Sequence, residues 1–400
     1  MDSIQSDFHF TCKELKQRIA VLQRAISDQG LDGAMILQRV DLLYYTAASF
    51  QGTLLVPATG DAKLIVWKGW GRIGENCPVE VVQIHGMGKF SETVRNSGLT
   101  TWKKIGIEED VVPVGILKRL GMPTWESGEF HDISPAIRAQ RSVKSEKECE
   151  AIRISGGILS AGFRALPGII KIGMPEYEVQ ARMELLMRTL GDQALPRTRA
   201  FNAEAIGVIA CGPSIGVSAV FDGPLPQPGR YPLAVSGSGN GLMQLNLPII
   251  ADTTSGFYGY MTDMARTFYF GKLEARFKEA HQFCVELNEE LMRRMIPGAI
   301  PEELYLWAVE EAEKVKWGKN FMNRGDDQVR FIGHGIGFEM DELPVLARRF
   351  TEPLEENMVI AIEPKVVFDD GAVGVEDTVI VKPGGAVSVT VMDRGLRQLE

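Results

Sequence analysis

A chain of 400 residues exceeds the ~250–300 residues at which one hydrophobic core stops growing, so two domains are expected. An apolar content of 45% and a charged fraction of 24% are those of a soluble globular protein, while a net charge of −9 weighs against nucleic acid or an anionic membrane as the main partner. Five scattered cysteines, Cys12, Cys77, Cys149, Cys211 and Cys284, form no C-x-x-C and argue against a disulfide scaffold or a zinc–thiolate site. The N-terminus is polar and acidic, with no basic-then-apolar leader. No apolar run approaches the ~18 residues of a membrane span, so the expected compartment is the cytoplasm.

In chain order, KELKQRIAVLQRAISDQG has apolar residues at helical spacing and closes on Gly30. LDGAMILQ reads as a short strand, GTLLVPATGDAKLIVWK as two strands around a glycine turn, and VEVVQIH and KKIGIEE as further strands. This alternation predicts an α/β domain over residues 1–143. Charges crowd into 138–150, and a helix is predicted from Ser145, with Glu148 placed for a capping box. The second domain, 144–400, then reads as α+β. Beyond the helix from Ser145 come a helix in EYEVQARMELLMRTLG and a strand in AIGVIACG. A hairpin follows in LPIIADTTSGFYGYMTDMARTFYFG, then two helices near 272–296 and 301–316. The last strands are in MVIAIEPKVVF and VGVEDTVIVKPG.

The acids of that second half carry the chemistry. Asp252 closes an apolar run, and Asp263 follows eleven residues later across a glycine turn, a spacing that can aim two hairpin carboxylates at one point. Glu363 and Glu376 lie among β-branched residues, where a carboxylate is costly to bury unless paired or metal-bound. His334, in GHGIGFEMDELP, adds a nitrogen ligand. Singly, Asp252 can be a turn acid, Asp263 a helix cap, and the glutamates edge-strand charges. Together they form an oxygen-rich donor set suited to manganese, cobalt, magnesium or zinc. Five side chains are enough for two ions sharing carboxylates, and two ions make a hydroxide nucleophile near neutral pH.

The motifs DTTSGFYGYMTDMARTF, FIGHGIGFEMDE, MVIAIEP and GVEDTVIV, in this order, resemble the creatinase/aminopeptidase P/prolidase superfamily, over nearly the whole chain. The resemblance implies a pita-bread catalytic domain behind an α/β creatinase-type N-terminal domain. It implies two divalent metal ions (manganese, cobalt or zinc) on Asp252, Asp263, His334, Glu363 and Glu376, with Asp263 and Glu376 bridging and Glu363 as proton shuttle. The implied activity is that of a metallohydrolase resembling Xaa-Pro aminopeptidase or dipeptidase, in which metal-bound hydroxide attacks a peptide or amide carbonyl. The implied assembly is a homodimer, with a small peptide or small molecule as substrate.

Three positions depart from that pattern. The peptidases carry a second histidine seven residues after the ligand histidine, and here Asp341 stands there. Another substrate-binding histidine is replaced by Ala219, or by Ser218 if the register slips by one. The arginine that proline-cleaving members place two residues before the last glutamate is Gly374. A carboxylate at 341 would repel an oxyanion, which points to a general base or a grip on a cationic group. A lyase subgroup that cleaves dimethylsulfoniopropionate places a catalytic aspartate directly before a glutamate, as in Asp341-Glu342. That subgroup has Asp-Thr-Asp where this chain has Asp252-Thr253-Thr254. The alternative expectation is therefore a small-molecule lyase or hydrolase with Asp341 as base. Tyr258, Tyr260 and Phe338 flank the ligand motifs and can serve either as packing or as faces for a quaternary or sulfonium cation.

Overall fold

The computed structural model describes residues 8–96, 102–120, 129–193, 196–202, 206–215, 221–225, 227, 229–231 and 236–400. These fall into two compact units, Met1–Gln140 and Arg141–Glu400.

In the first unit, the helix Cys12–Asp28 starts where the Thr11 hydroxyl accepts from the backbone N–H of Glu14, and it buries Leu15, Ile19, Leu22 and Ile26 along one stripe. The strands are β1 (Gly33–Ile36), β2 (Gln51–Pro57), β3 (Lys63–Lys68), β4 (Glu80–Gln83), β5 (Lys104–Ile107) and β6 (Glu129–Asp132). They form one mixed sheet in the order β4-β3-β2-β1-β5-β6. Its core packs Met35, Leu55, Ile65 and Ile105 against Phe90 and Trp102.

The second unit begins with the helix Glu146–Ile169, and its start is the capping box that Ser145 and Glu148 predict. Glu148 Oε2 accepts from the Ser145 N–H at 2.8 Å, and Oε1 accepts from the Tyr260 hydroxyl at 2.7 Å. One carboxylate therefore fixes both the helix start and the hairpin beneath it. The helix Glu176–Thr189 packs beside it.

The remaining strands are β7 (Val208–Cys211), β8 (Pro248–Phe257), β9 (Tyr260–Phe270), β10 (Phe331–Gly335), β11 (Glu342–Ala347), β12 (Val359–Ile362), β13 (Lys365–Phe368), β14 (Gly371–Gly374), β15 (Glu376–Ile380), β16 (Val387–Ser388) and β17 (Arg397–Leu399). Among the described residues the large sheet runs β11-β10-β12-β15-β9-β8-β7, with β16 on β15 and β17 on β9. Most of its pairings are antiparallel. Asp263 lies in the middle of β9, so its run is a strand rather than a helix start.

Both C-terminal motifs are longer than one strand. The chain leaves the large sheet after Ile362, and Lys365–Phe368 pairs instead with Gly371–Gly374 in a separate ribbon. Pro364, which lacks an N–H, sits at that break. The return crossing falls at Val375. Glu363 and Glu376 therefore flank the two points where the chain changes sheets. Two further helices, Ala275–Arg294 and Pro301–Lys314, cover the apolar face made by Ile360, Ile362, Val379 and Val381.

Candidate metal centre

The strand registers put all five expected ligands on one face of the large sheet. Asp252 lies opposite Ala265 and Thr254 opposite Asp263, so the two aspartates are diagonal neighbours on the hairpin. Glu376 also lies opposite Ala265, from the other side. Ala361 pairs with Thr378 on β15 and with His334 on β10, and Glu363 follows two residues after Ala361 on the same side. Small, fully buried residues, Ala265 and Ala361, separate the acids and leave room above the sheet. The opposite face carries Met264, Ile360 and Ile362 into the helix-covered cores.

Two overlapping groups of ligand atoms result. One is Asp263, His334 and Glu376, the other Asp252, Glu363 and Glu376, and within each group the atoms lie within 4.8 Å of one another. Glu376 Oε1 is buried with no hydrogen-bond partner, a cost that a bound cation would remove. Asp263 is held in place through its backbone: its N–H donates to Thr378 Oγ1 at 2.8 Å. His334 Nε2 lies 3.5 Å from Glu363 Oε1.

Lys365 joins the site from outside the expected ligand set. Its side chain is fully buried, and Nζ lies 2.6 Å from Glu363 Oε2, 2.6 Å from Glu376 Oε2 and 2.9 Å from Asp252 Oδ2. A signal was available. A lysine two residues after Glu363, inside the apolar run AIEPKVVF, shares a face with that acid, and a buried ammonium needs carboxylates around it.

Burial, the nearby Asp252 and the Glu363 charge push the Asp263 carboxyl well above the usual carboxylate range, with Lys365 opposing. Burial and the adjacent Asp263 do the same to Glu376. Burial works against a charge on Lys365, yet Asp252, Glu363 and Glu376 together hold its ammonium well above the ordinary lysine range. The donor set thus fits a hard divalent cation at Asp263, His334 and Glu376. The second group already surrounds a cation that the chain itself supplies.

The departing positions have structural accounts of their own. Asp341 belongs to neither ligand group. Its Oδ1 accepts from the Arg199 N–H at 2.7 Å and its Oδ2 from the Ala200 N–H at 3.1 Å, so both oxygens are engaged by backbone. The Asp341 carboxylate is thereby fixed against the 199–200 backbone. At Gly374, opposite Lys365 in the β13–β14 ribbon, a Cβ would come 2.6 Å from the Pro364 carbonyl oxygen and 2.7 Å from Lys365 Cγ, leaving no space for an arginine. Ala219 and Ser218 lie outside the described residues. Tyr260 and Phe338 are buried and packed against each other, ring centroids 4.0 Å apart. The Arg141 guanidinium lies over the Phe338 ring, 5.9 Å from its centroid. Tyr258, half-buried, sits at the hairpin turn with φ +52°, its N–H donating to Gln193 Oε1.

Beside Asp341 lies a second polar cluster. Glu342, buried, meets Arg141 Nη2 and, at 3.0 Å, Lys144 Nζ. Arg141 also reaches Glu339 at 2.9 Å. Burial would raise the Glu342 carboxyl, but the two cations hold it at about 2.

Residues 150–383 match metallopeptidase family M24, and residues 18–143 match the creatinase/prolidase N-terminal domain. The Xaa-Pro dipeptidase of Pyrococcus furiosus is 23% identical over 96% of this chain and 100% of its own length. Among solved structures, the prolidase from Pyrococcus horikoshii OT3 superposes with a TM-score of 0.78 at 23% identity, covering 94% of this chain and 99% of that one. The N-terminal domain of the FACT complex subunit SPT16 from chickpea superposes with a TM-score of 0.74 at 13% identity, covering 96% and 98%. The α+β pita-bread architecture is therefore the one expected.

Proposed function

The chain belongs to metallopeptidase family M24 and is a metallohydrolase, and we propose that it hydrolyses the amide bond of a short peptide or a related small molecule, in the manner of an Xaa-Pro dipeptidase. The observation that carries this reading is the convergence of Asp252, Asp263, His334, Glu363 and Glu376 on one sheet face, with Glu376 Oε1 buried and unpartnered. Acids buried together in this way are a mark of a functional site.

Asp263, His334 and Glu376 would hold a divalent cation, which when bound supplies Lewis acidity toward a carbonyl oxygen and a water. Glu363 then handles the proton. Its Oε2 is taken by Lys365, which leaves Oε1, on the His334 side, to accept a proton from water as the new C–O bond forms. The same oxygen returns that proton to the leaving nitrogen as the C–N bond breaks. The sheet keeps these groups in place before substrate arrives, because each ligand sits on a strand or at its end.

The departures at Asp341 and Gly374 bear on substrate choice. Gly374 offers no side chain to grip a prolyl terminus and Asp341 offers an acid in place of a histidine, so this reading favours a substrate that does not depend on those two family contacts. In the same reading the protein is a cytoplasmic homodimer with domains 1–143 and 144–400, and light scattering at twice the 44.1 kDa chain mass checks the dimer.

The test is turnover of a panel of Xaa-Pro and other dipeptides and small N-acyl compounds by protein loaded with manganese, cobalt or zinc. Hydrolysis that falls about 10²-fold or more in Glu363→Gln and His334→Ala supports the reading. A metal-loaded, folded protein that cleaves no member of the panel overturns it.

A further inference from the structure

The centre already contains one cation. Lys365 Nζ has three N–H donors and faces three carboxylate oxygens, one each from Asp252, Glu363 and Glu376, at 2.6–2.9 Å. No donor is left to act on a substrate, so the ammonium is neither a nucleophile nor a grip for an oxyanion. Those three acids are also one of the two groups that could hold an ion. A divalent ion would need their oxygens at about 2.0–2.2 Å, in the space where the ammonium now sits.

The lysine is seated rather than accidental. It is paired in register with Gly374 across the β13–β14 ribbon, and the missing Cβ at Gly374 is what admits its stem. The Lys365 side chain is fully buried, and Glu363 and Glu376, which it joins, stand where the chain leaves and rejoins the large sheet. On the other side of the cluster, Glu376 Oε1, Asp263 and His334 remain without that cation.

We propose that the Lys365 ammonium takes the place of one of the two metal ions expected of this centre, so that each chain binds a single divalent cation, on Asp263, His334 and Glu376. This rests on the metal-site reading above but not on any activity. It also replaces the sequence expectation of two ions. Asp252 and Glu363 become partners of Lys365 first, and Glu363 reaches the metal side only through Oε1.

The experiment is a count of ions in the purified, full-length protein. After loading with manganese and dialysis, elemental analysis is expected to give one tightly held ion per wild-type chain and two per Lys365→Ala chain. Asp252→Asn is expected to keep one, and Asp263→Asn to lose it. A wild-type chain that holds two ions, or none, overturns the proposal, as does a Lys365→Ala chain that folds and gains no ion. Should that variant fail to fold, the wild type alone decides. Electron paramagnetic resonance of the manganese-loaded protein should give the six-line signal of isolated ions, whereas an exchange-coupled pair overturns the proposal. One ion without hydrolysis leaves this inference standing and sinks the hydrolase reading; two ions with hydrolysis does the reverse.

Discussion

Thr378 and Asp263 clasp each other across the β15–β9 boundary: the Asp263 N–H donates to the Thr378 hydroxyl at 2.8 Å, and that hydroxyl donates to the Asp263 carbonyl at 2.9 Å. Both groups are buried. The hydroxyl thus fixes where Asp263 sits relative to Glu376, two residues from Thr378. Thr378→Val keeps the shape and removes the clasp, leaving a buried N–H unpaired, and should cost about 1–3 kcal/mol. Manganese affinity should fall with it, while Thr378→Ser recovers most of both. Denaturant melts and a metal titration measure the two effects; unchanged affinity in a destabilised Thr378→Val would remove the positioning role.

The buried Glu342 cluster sets a second expectation. Replacing Glu342 by Gln leaves Arg141 and Lys144 without their shared carboxylate and should cost about 3–5 kcal/mol at neutral pH. Because the folded carboxyl titrates at about 2 against ~4.3 in the unfolded chain, its stabilisation is fully present above ~4.3 and disappears as pH falls toward 2.

His281 acts on the same acid limb at higher pH. Burial, helped by the Arg266 charge, lowers its imidazole to about 4, below the ~6.5 of an unfolded histidine. The unfolded chain therefore binds more protons, and stability should drop as pH falls from ~6.5 to 4. Urea midpoints across pH 7 to 2.5 should show two declines. Glu342→Gln should erase only the lower one.

Asp341 should behave as a latch for the 199–200 backbone. Asp341→Ala is expected to speed amide exchange at Arg199 and Ala200 and to change turnover less than tenfold. Loss of all turnover with those amides still protected would instead support the general-base role.

An arginine at 374 would restore the pattern of the proline-cleaving enzymes on paper, but the space belongs to Lys365. Gly374→Arg should destabilise the fold by about 1–3 kcal/mol or more through overpacking, without raising Xaa-Pro cleavage. Calorimetry and the dipeptide assay check both halves.

Residue order and periodicity make much of this protein legible in the sequence itself. The apolar runs on either side of the glycine-bearing turn in LPIIADTTSGFYGYMTDMARTFYF give the hairpin, and the Ser145–Glu148 spacing gives the helix start, because both depend on neighbours a few residues apart. The acids and His334 could be named because charges inside apolar strands are costly without a purpose.

What the chain could not reveal is which groups already satisfy one another. A lysine inside the apolar run after Glu363 signals a need for acid partners, but only the fold brings it to Asp252, more than a hundred residues earlier. Nothing near Asp341 in the chain announces that the 199–200 backbone closes on it. Sequence supplies charges and donors, whereas their pairing is set by strand register and by the points where the chain changes sheets, and those are properties of the folded whole.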